Sequence, residues 1–348
     1  MARASESQLE REIREQPDVL EGRTPAGWLA AREAVDLLQG AEITHLVIAA
    51  RGSSDNAARY AQYMLGLDAR LPVGLATPWL YASDHPPLLQ GAGVLAISQS
   101  GRSPDVVSVV QAAHEQGRPT VALTNDVGSP LAAAADVVVP MLAGAELSVA
   151  ATKTYLASLH AIAQISSLLG GREGRMEWFA RLPELARELI DAQLEARTQF
   201  DRLADAHVLT VVGRGLNLGT AFETALKLRE LSGLPAEAFS LPDLLHGPVA
   251  ALHPDDGIWL ISIAEQLQPT SAEFGALRQL SGLGIAVSDN PEIQAAAEIS
   301  IAVAPALPSW LTPMLAVIPA QAAALRLAEL KGGDVDRPEG LTKVTLTQ

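Results

Sequence analysis

The chain repeats itself at an interval close to 163 residues, and this constrains its fold more than any other feature. Leu46-Val47-Ile48-Ala49-Ala50-Arg51-Gly52 is an apolar run that enters a glycine turn and precedes an alanine-rich helical segment over 55–65. Leu209-Thr210-Val211-Val212-Gly213-Arg214-Gly215, 163 residues on, does the same before a helical segment over 221–230. Gly93-Val94-Leu95-Ala96-Ile97-Ser98 and Gly257-Ile258-Trp259-Leu260-Ile261-Ser262 form the next pair, both ending at serine. Thr120-Val121-Ala122-Leu123-Thr124-Asn125 answers to Gly284-Ile285-Ala286-Val287-Ser288-Asp289, and Asp136-Val137-Val138-Val139 to Glu298-Ile299-Ser300-Ile301. Four strands recur in the same order, which is the signature of one structural unit used twice.

These runs of aliphatic and β-branched residues are too short for helices and alternate with helical segments. That pattern predicts parallel strands covered on both faces. The expected fold is α/β, with each half a doubly wound parallel sheet flanked by helices. A chain of 348 residues is comfortable as two such domains, and the polar, Arg/Glu-rich stretch 171–203 reads as the connector. Ligands of doubly wound sheets sit at the carboxyl ends of the strands, so the site is expected at 51–56 and 98–105.

Composition narrows the function. Hydrophobic residues make up 48% and charged residues 19%, enough apolar side chain for large buried sheets. The formal net charge of −15 repels a nucleic-acid backbone, and no basic stretch offsets it. A small anion stays compatible with that charge, because backbone amides at helix N-termini hold phosphate locally. Cysteine is absent, which excludes disulfides, thiolate metal sites and a cysteine nucleophile. The opening twenty residues are charged and polar, with no signal-like apolar core and no uninterrupted apolar run of bilayer length after them. No membrane partner and a cytoplasmic location are therefore expected.

Ser98-Gln99-Ser100-Gly101-Arg102-Ser103-Pro104-Asp105 follows one strand and precedes a helix over 106–117. Ser103 is placed to cap that helix, Pro104 suits its first position, and the serines and Gly101 offer hydroxyls and amides to an anion. Gly52-Ser53-Ser54-Asp55-Asn56 is a second hydroxyl-rich turn at the neighbouring strand end. Together they form a candidate phosphate cradle; two well-capped turns with no ligand would read alike. In the second half, Ile263-Ala264-Glu265-Gln266-Leu267 replaces the hydroxyls with an acid, so one phosphate site per chain is expected.

Glu223, Lys227 and Glu230 fall at i, i+4 and i+7 on one helix face, either as a functional cluster or as a solvated ion-pair stripe. His246, before Gly247-Pro248, lies in a turn where an imidazole titrating near neutrality can serve as acid or base. Lys343 stands in a tail after Lys331-Gly332-Gly333-Asp334-Val335-Asp336, and by itself it reads as an ordinary exposed lysine.

Several segments together resemble the isomerase half of glucosamine-6-phosphate synthase and the deaminases of the same SIS (sugar isomerase) domain family. They are Arg51-Gly52-Ser53-Ser54, Ser98-Gln99-Ser100-Gly101, Val149-Ala150-Ala151-Thr152-Lys153, Ala225-Leu226-Lys227-Leu228-Arg229-Glu230, Leu245-His246-Gly247-Pro248 and Lys331-Gly332-Gly333-Asp334-Val335-Asp336. The resemblance runs from about residue 20 to the end and implies two tandem SIS domains, each flavodoxin-like. The implied division is a helical arm over 1–40, a first SIS domain over 41–190, a second over 191–335 and a tail over 336–348. Phosphate and substrate ligands fall on Ser53, Ser54, Ser98, Gln99, Ser100 and Ser103, with Val149 and Thr342 beside the sugar. His246 falls on the ring-opening histidine, Glu230 on the proton-shuttling carboxylate and Lys343 on the carbonyl-engaging lysine, with Lys227 nearby. No cofactor or metal is implied, and His246 is expected to reach a neighbouring subunit's site in a homodimer.

Without a cysteine, the glutamine-hydrolysing step of the synthase is not expected. The implied reaction is therefore deamination and isomerisation of glucosamine 6-phosphate to fructose 6-phosphate and ammonia, with the gluco or galacto epimer of the sugar left open. A deglycase for a fructosamine 6-phosphate and a sugar-phosphate sensor are the alternatives. The family's glutamate-threonine after Ser-Gly is replaced here by Arg102-Ser103.

Overall fold

The computed structural model describes residues 6–263 and 269–343, which divide into two compact units. One comprises Glu15–Glu146, Ala151–Pro183 and the tail residues Thr342 and Lys343; the other comprises the described residues up to Arg14, Leu147–Ala150 and Glu184–Leu341. The acid expected to replace the cradle in the second half lies at 264–268, outside the described residues.

The first unit holds five parallel strands: β1 (His45–Ala50), β2 (Val73–Leu75), β3 (Ala92–Ser98), β4 (Thr120–Thr124) and β5 (Val137–Pro140), in the order β2-β1-β3-β4-β5. The second holds β6 (Leu209–Gly213), β7 (Ala236–Ser240), β8 (Gly257–Ser262), β9 (Leu283–Ser288) and β10 (Ile299–Ala302), in the order β7-β6-β8-β9-β10. In both, the second strand lies on one side of the first and the remaining three on the other. This is the doubly wound α/β order, with its switch point between the first and third strands.

The repeat thus gave the fold class and four strands of each sheet, while β2 and β7 are additions. Both are edge strands. Val73-Gly74-Leu75 is partly exposed throughout, and β7 carries an exposed Glu237, so neither forms the continuous apolar run that marks a strand buried on both faces. All residues of β3, β8 and β9 are buried.

In the first unit, Val94, Ala96 and Ala122 pack against Val106, Val109 and Val110 of the helix Pro104–Glu115. In the second, Ile258, Leu260 and Ala286 pack against Phe274 and Leu277 of the helix Ser271–Arg278. Arg23 is wholly buried and donates to the carbonyls of Pro140 and Met141 at the end of β5, at 3.2 and 3.1 Å. Burial pushes its guanidinium down to about 9.

The sequence suggested no bilayer-length apolar segment, but Ser309–Lys331 is long and apolar enough by length and composition. Its apolar window is 94% buried inside the protein, and its helix Thr312–Lys331 packs on Leu218–Ser232. The hydropathy is that of a core helix, apolar on nearly every side because nearly every side is covered.

Gly213 ends β6 where the chain turns into the following helix. A Cβ there would stand 2.6 Å from the Asn217 carbonyl oxygen and 2.9 Å from the Ala221 methyl. Because the first of these is backbone, relief requires a shift of the turn. Gly213→Ala is expected to cost about 1–3 kcal/mol, the usual range for overpacking, read as a lower urea midpoint at unchanged slope.

Candidate functional site

The two serine turns sit at the ends of adjacent strands, β1 and β3. Ser98 is the last residue of β3 and its hydroxyl oxygen accepts the Gly101 amide at 3.1 Å; the Ser100 hydroxyl accepts the Arg102 amide at 3.3 Å. Both hydroxyls serve as acceptors within the loop, and each also carries an O–H that donates. The Gln99 carbonyl accepts the Asn125 amide at 3.1 Å, tying the loop to the end of β4. Gly101 has φ +62°, and a Cβ would press on the Ser129 side chain, so this turn requires glycine.

Ser53 and Ser54 open the helix Ser53–Asp68, after Gly52 at φ +55°. The Arg51 guanidinium reaches across to Asp105 at 2.6 Å, joining the two turns, and Arg102 pairs with Asp126 at 2.9 Å. The substituted Arg102 therefore places a cation on the rim of the loop.

One expectation fails here. Ser103 does occupy the N-cap position, with Pro104 first in the helix, but its side chain makes no cap bond. The carboxylate of Asp105 accepts the Val106 amide instead, at 3.0 Å.

In the second unit, Glu223, Lys227 and Glu230 lie on one face of the helix Leu218–Ser232. The Lys227 amine is 2.5 Å from Glu230 and 3.5 Å from Glu223. The side chains of Lys227 and Glu223 are each 1% exposed and that of Glu230 is 27%, which rules out a solvated stripe. Glu230 lines an open cavity of about 690 Å³ together with Arg229, Lys331, Asp334 and Arg337. His246 follows the short helix Leu241–Leu245, is exposed, and its backbone amide donates to the Pro242 carbonyl at 3.1 Å.

Val149 is half-buried, and its amide donates to the Asp336 carbonyl at 3.0 Å. The Asp336 carboxylate in turn accepts the amides of Gln8 and Leu9, at 3.0 and 2.7 Å. Thr342 is exposed, and the next residue, Lys343, is not a loose tail lysine. In the first unit its amine lies 2.7 Å from the carboxylate of Glu146.

Two buried acids were not anticipated from the sequence. Glu146 has a fully buried side chain and accepts the amides of Thr152 and Thr154, at 3.0 and 3.1 Å, and the Thr154 hydroxyl, at 2.7 Å. Burial alone would raise its carboxyl, but the Lys343 charge and these donors hold it below the usual carboxylate range. A signal was present: Glu146 is the sole charged residue between Asp136 and Lys153. Glu12, also fully buried, receives the amide of Leu147 and the amide and hydroxyl of Ser148. It stands in a segment whose abundant charges concealed it.

Two doubly wound parallel sheets flanked by helices, the first with serine turns at adjacent strand ends, define an α/β protein. The chain belongs to the SIS domain family, which matches residues 41–167 and 202–330. It is 31% identical to a glutamine-fructose-6-phosphate aminotransferase (isomerizing) of Pyrococcus horikoshii over 96% of this chain and 56% of that protein. The corresponding protein of Thermus thermophilus is 32% identical over 96% of this chain and 58% of its own length. The chain thus spans a little over half the length of these curated relatives. In fold it superposes on the C-terminal domain of glucosamine-fructose-6-phosphate aminotransferase from Francisella tularensis with a TM-score of 0.83. That match has 24% identity and covers 97% of this chain and 100% of the other.

Lys227→Met removes the ammonium from between two carboxylates, one of them buried. The expected loss is roughly 3–5 kcal/mol, as for breaking a buried pair, whereas Glu230→Gln, at a partly exposed position, is expected to cost about 1 kcal/mol or less. Urea denaturation of the two variants checks the contrast.

Proposed function

We propose that this chain is a phosphosugar isomerase that converts glucosamine 6-phosphate and water to fructose 6-phosphate and ammonia. The observation that carries this reading is the Glu230 carboxylate, partly exposed on a cavity wall and oriented from behind by the buried Lys227 amine. Proton transfer between neighbouring sugar carbons needs one positioned base that takes a proton and returns it. Glu230 takes the proton from C2 of the open-chain amino aldose and delivers it to C1. The product is the C2 imine of the ketose, which water cleaves to the ketone and ammonia.

Ser54, Ser98, Gln99, Ser100 and Ser103 hold the phosphate, assisted by Ser53, while Val149 and Thr342 line the sugar. His246, supplied by a second copy of the chain, moves a proton between ring oxygen and anomeric hydroxyl during opening. Lys343 polarises the C2 centre or forms an imine with it. The relatives named above are aminotransferases acting from glutamine; these 348 residues contain no cysteine, hence no thiol to release ammonia from glutamine. Deamination is the direction that needs no such group.

The test is ammonia release across hexosamine 6-phosphates, with a fructosamine 6-phosphate as the competing substrate. Turnover of the latter alone makes the protein a deglycase, and binding of sugar phosphate with no turnover makes it a sensor. Glu230→Gln is expected to lower kcat by roughly 10³-fold or more, with KM within about threefold, since shape is kept and the base is lost. Ser98→Ala combined with Ser100→Ala is expected to act oppositely, raising KM by about 30-fold or more as two hydrogen bonds to a charged phosphate are lost. Steady-state kinetics distinguishes the two patterns.

A further inference from the structure

We propose that Glu146 is the positioning residue for Lys343, fixing the amine of the C-terminal tail against the N-terminus of the helix Lys153–Leu169. This rests on the reading of Lys343 as the group that engages the sugar carbonyl. The carboxylate is divided between two tasks. One oxygen accepts the backbone amides of Thr152 and Thr154, which lie at the start of the helix; the other accepts the Thr154 hydroxyl and the Lys343 amine.

The asymmetry of burial gives the pair its direction. The Glu146 side chain is fully buried and the Lys343 side chain is 23% exposed. The acid is thus locked into the fold by three hydrogen bonds besides its contact with Lys343, while the Lys343 side chain keeps part of its surface in solvent. A lysine stem loses up to about 2 kcal/mol of rotamer entropy when fixed, and an anchored carboxylate meets that cost before substrate arrives. Misplacing a reacting group by about 1 Å costs on the order of 10²-fold in rate, so an amine released from Glu146 is expected to lose turnover rather than affinity.

The decisive measurement is a double-mutant cycle. Glu146→Gln is expected to lower kcat by about 30-fold or more with KM within about threefold, and to have less than about a twofold further effect on kcat in a Lys343→Met background. An equal loss in both backgrounds, or a wild-type kcat in Glu146→Gln, overturns the proposal. Should Glu146→Gln fail to fold, Glu146→Asp keeps the charge, withdraws it by one methylene and enters the same cycle with the same criteria.

A second readout is independent of activity. Trypsin cleavage after Lys343, followed by mass spectrometry under native conditions, is expected to be about tenfold or more faster in Glu146→Gln than in wild type. Thr154→Val, which leaves the ion pair intact, is expected to cleave at the wild-type rate. Equal cleavage in Glu146→Gln and wild type overturns the anchoring role. Wild-type protein inactive on every hexosamine phosphate overturns the proposed reaction instead, and the trypsin comparison still decides whether Glu146 holds the tail.

Discussion

Parallel strands covered on both faces leave polar chemistry nowhere to sit but the ends of the sheet. β3, β8 and β9 are buried along their whole length, and a hydroxyl or charge inside them would need a partner the apolar layers do not supply. The serines therefore gather where strands end. Ser98 is the last residue of β3, Ser53 and Ser54 follow β1, and β1 and β3 are the neighbours flanking the switch point. The crevice that this topology opens there is filled by loops whose amides and hydroxyls bond one another, with Gly101 admitted because a larger residue would meet Ser129.

The same constraint explains what could be read from the sequence. A strand buried on both faces advertises itself as an unbroken apolar run, as β3, β8 and β9 do. The outer strands β5 and β10 were legible through the repeat, whereas β2, three residues long, and β7, with its exposed Glu237, offered neither signal. The Glu223, Lys227, Glu230 spacing placed three charges on one helix face correctly but could not distinguish solvent from interior, since periodicity is identical in both. Burial is a tertiary property; here it comes from the core helix Thr312–Lys331, packed against the helix that carries the cluster. The apolar composition of that core helix misleads in the complementary sense, because the same residues satisfy a lipid environment or a protein one.

Local rules misassigned one residue. Ser103 has the identity and the backbone of an N-cap, yet Asp105 provides the nearby side-chain acceptor. Residue identity and backbone conformation are thus compatible with a cap that the side chain does not make.

Buried carboxylates organise the segments for which the sequence offered no pattern. Glu12 gathers the amides of Leu147 and Ser148, and Glu146 gathers those of Thr152 and Thr154. An ion removed from water is tolerated when donors replace its hydration, and backbone amides do so with little entropy left to lose. For Glu146 the donors and Lys343 outweigh desolvation, so its folded carboxyl titrates below its unfolded value. The stabilisation is then fully present above the ordinary carboxylate range and is lost as pH falls through the lowered folded value. His160 lies at the opposite extreme: burial, and then the charge of Arg23, hold its imidazole well below the usual range. The neutral ring accepts from Arg23 at Nδ1, and its Nε2–H donates to the Thr24 hydroxyl, which itself donates to the Leu20 carbonyl. The fold thus keeps the Glu146 carboxyl charged and the His160 imidazole neutral around neutral pH.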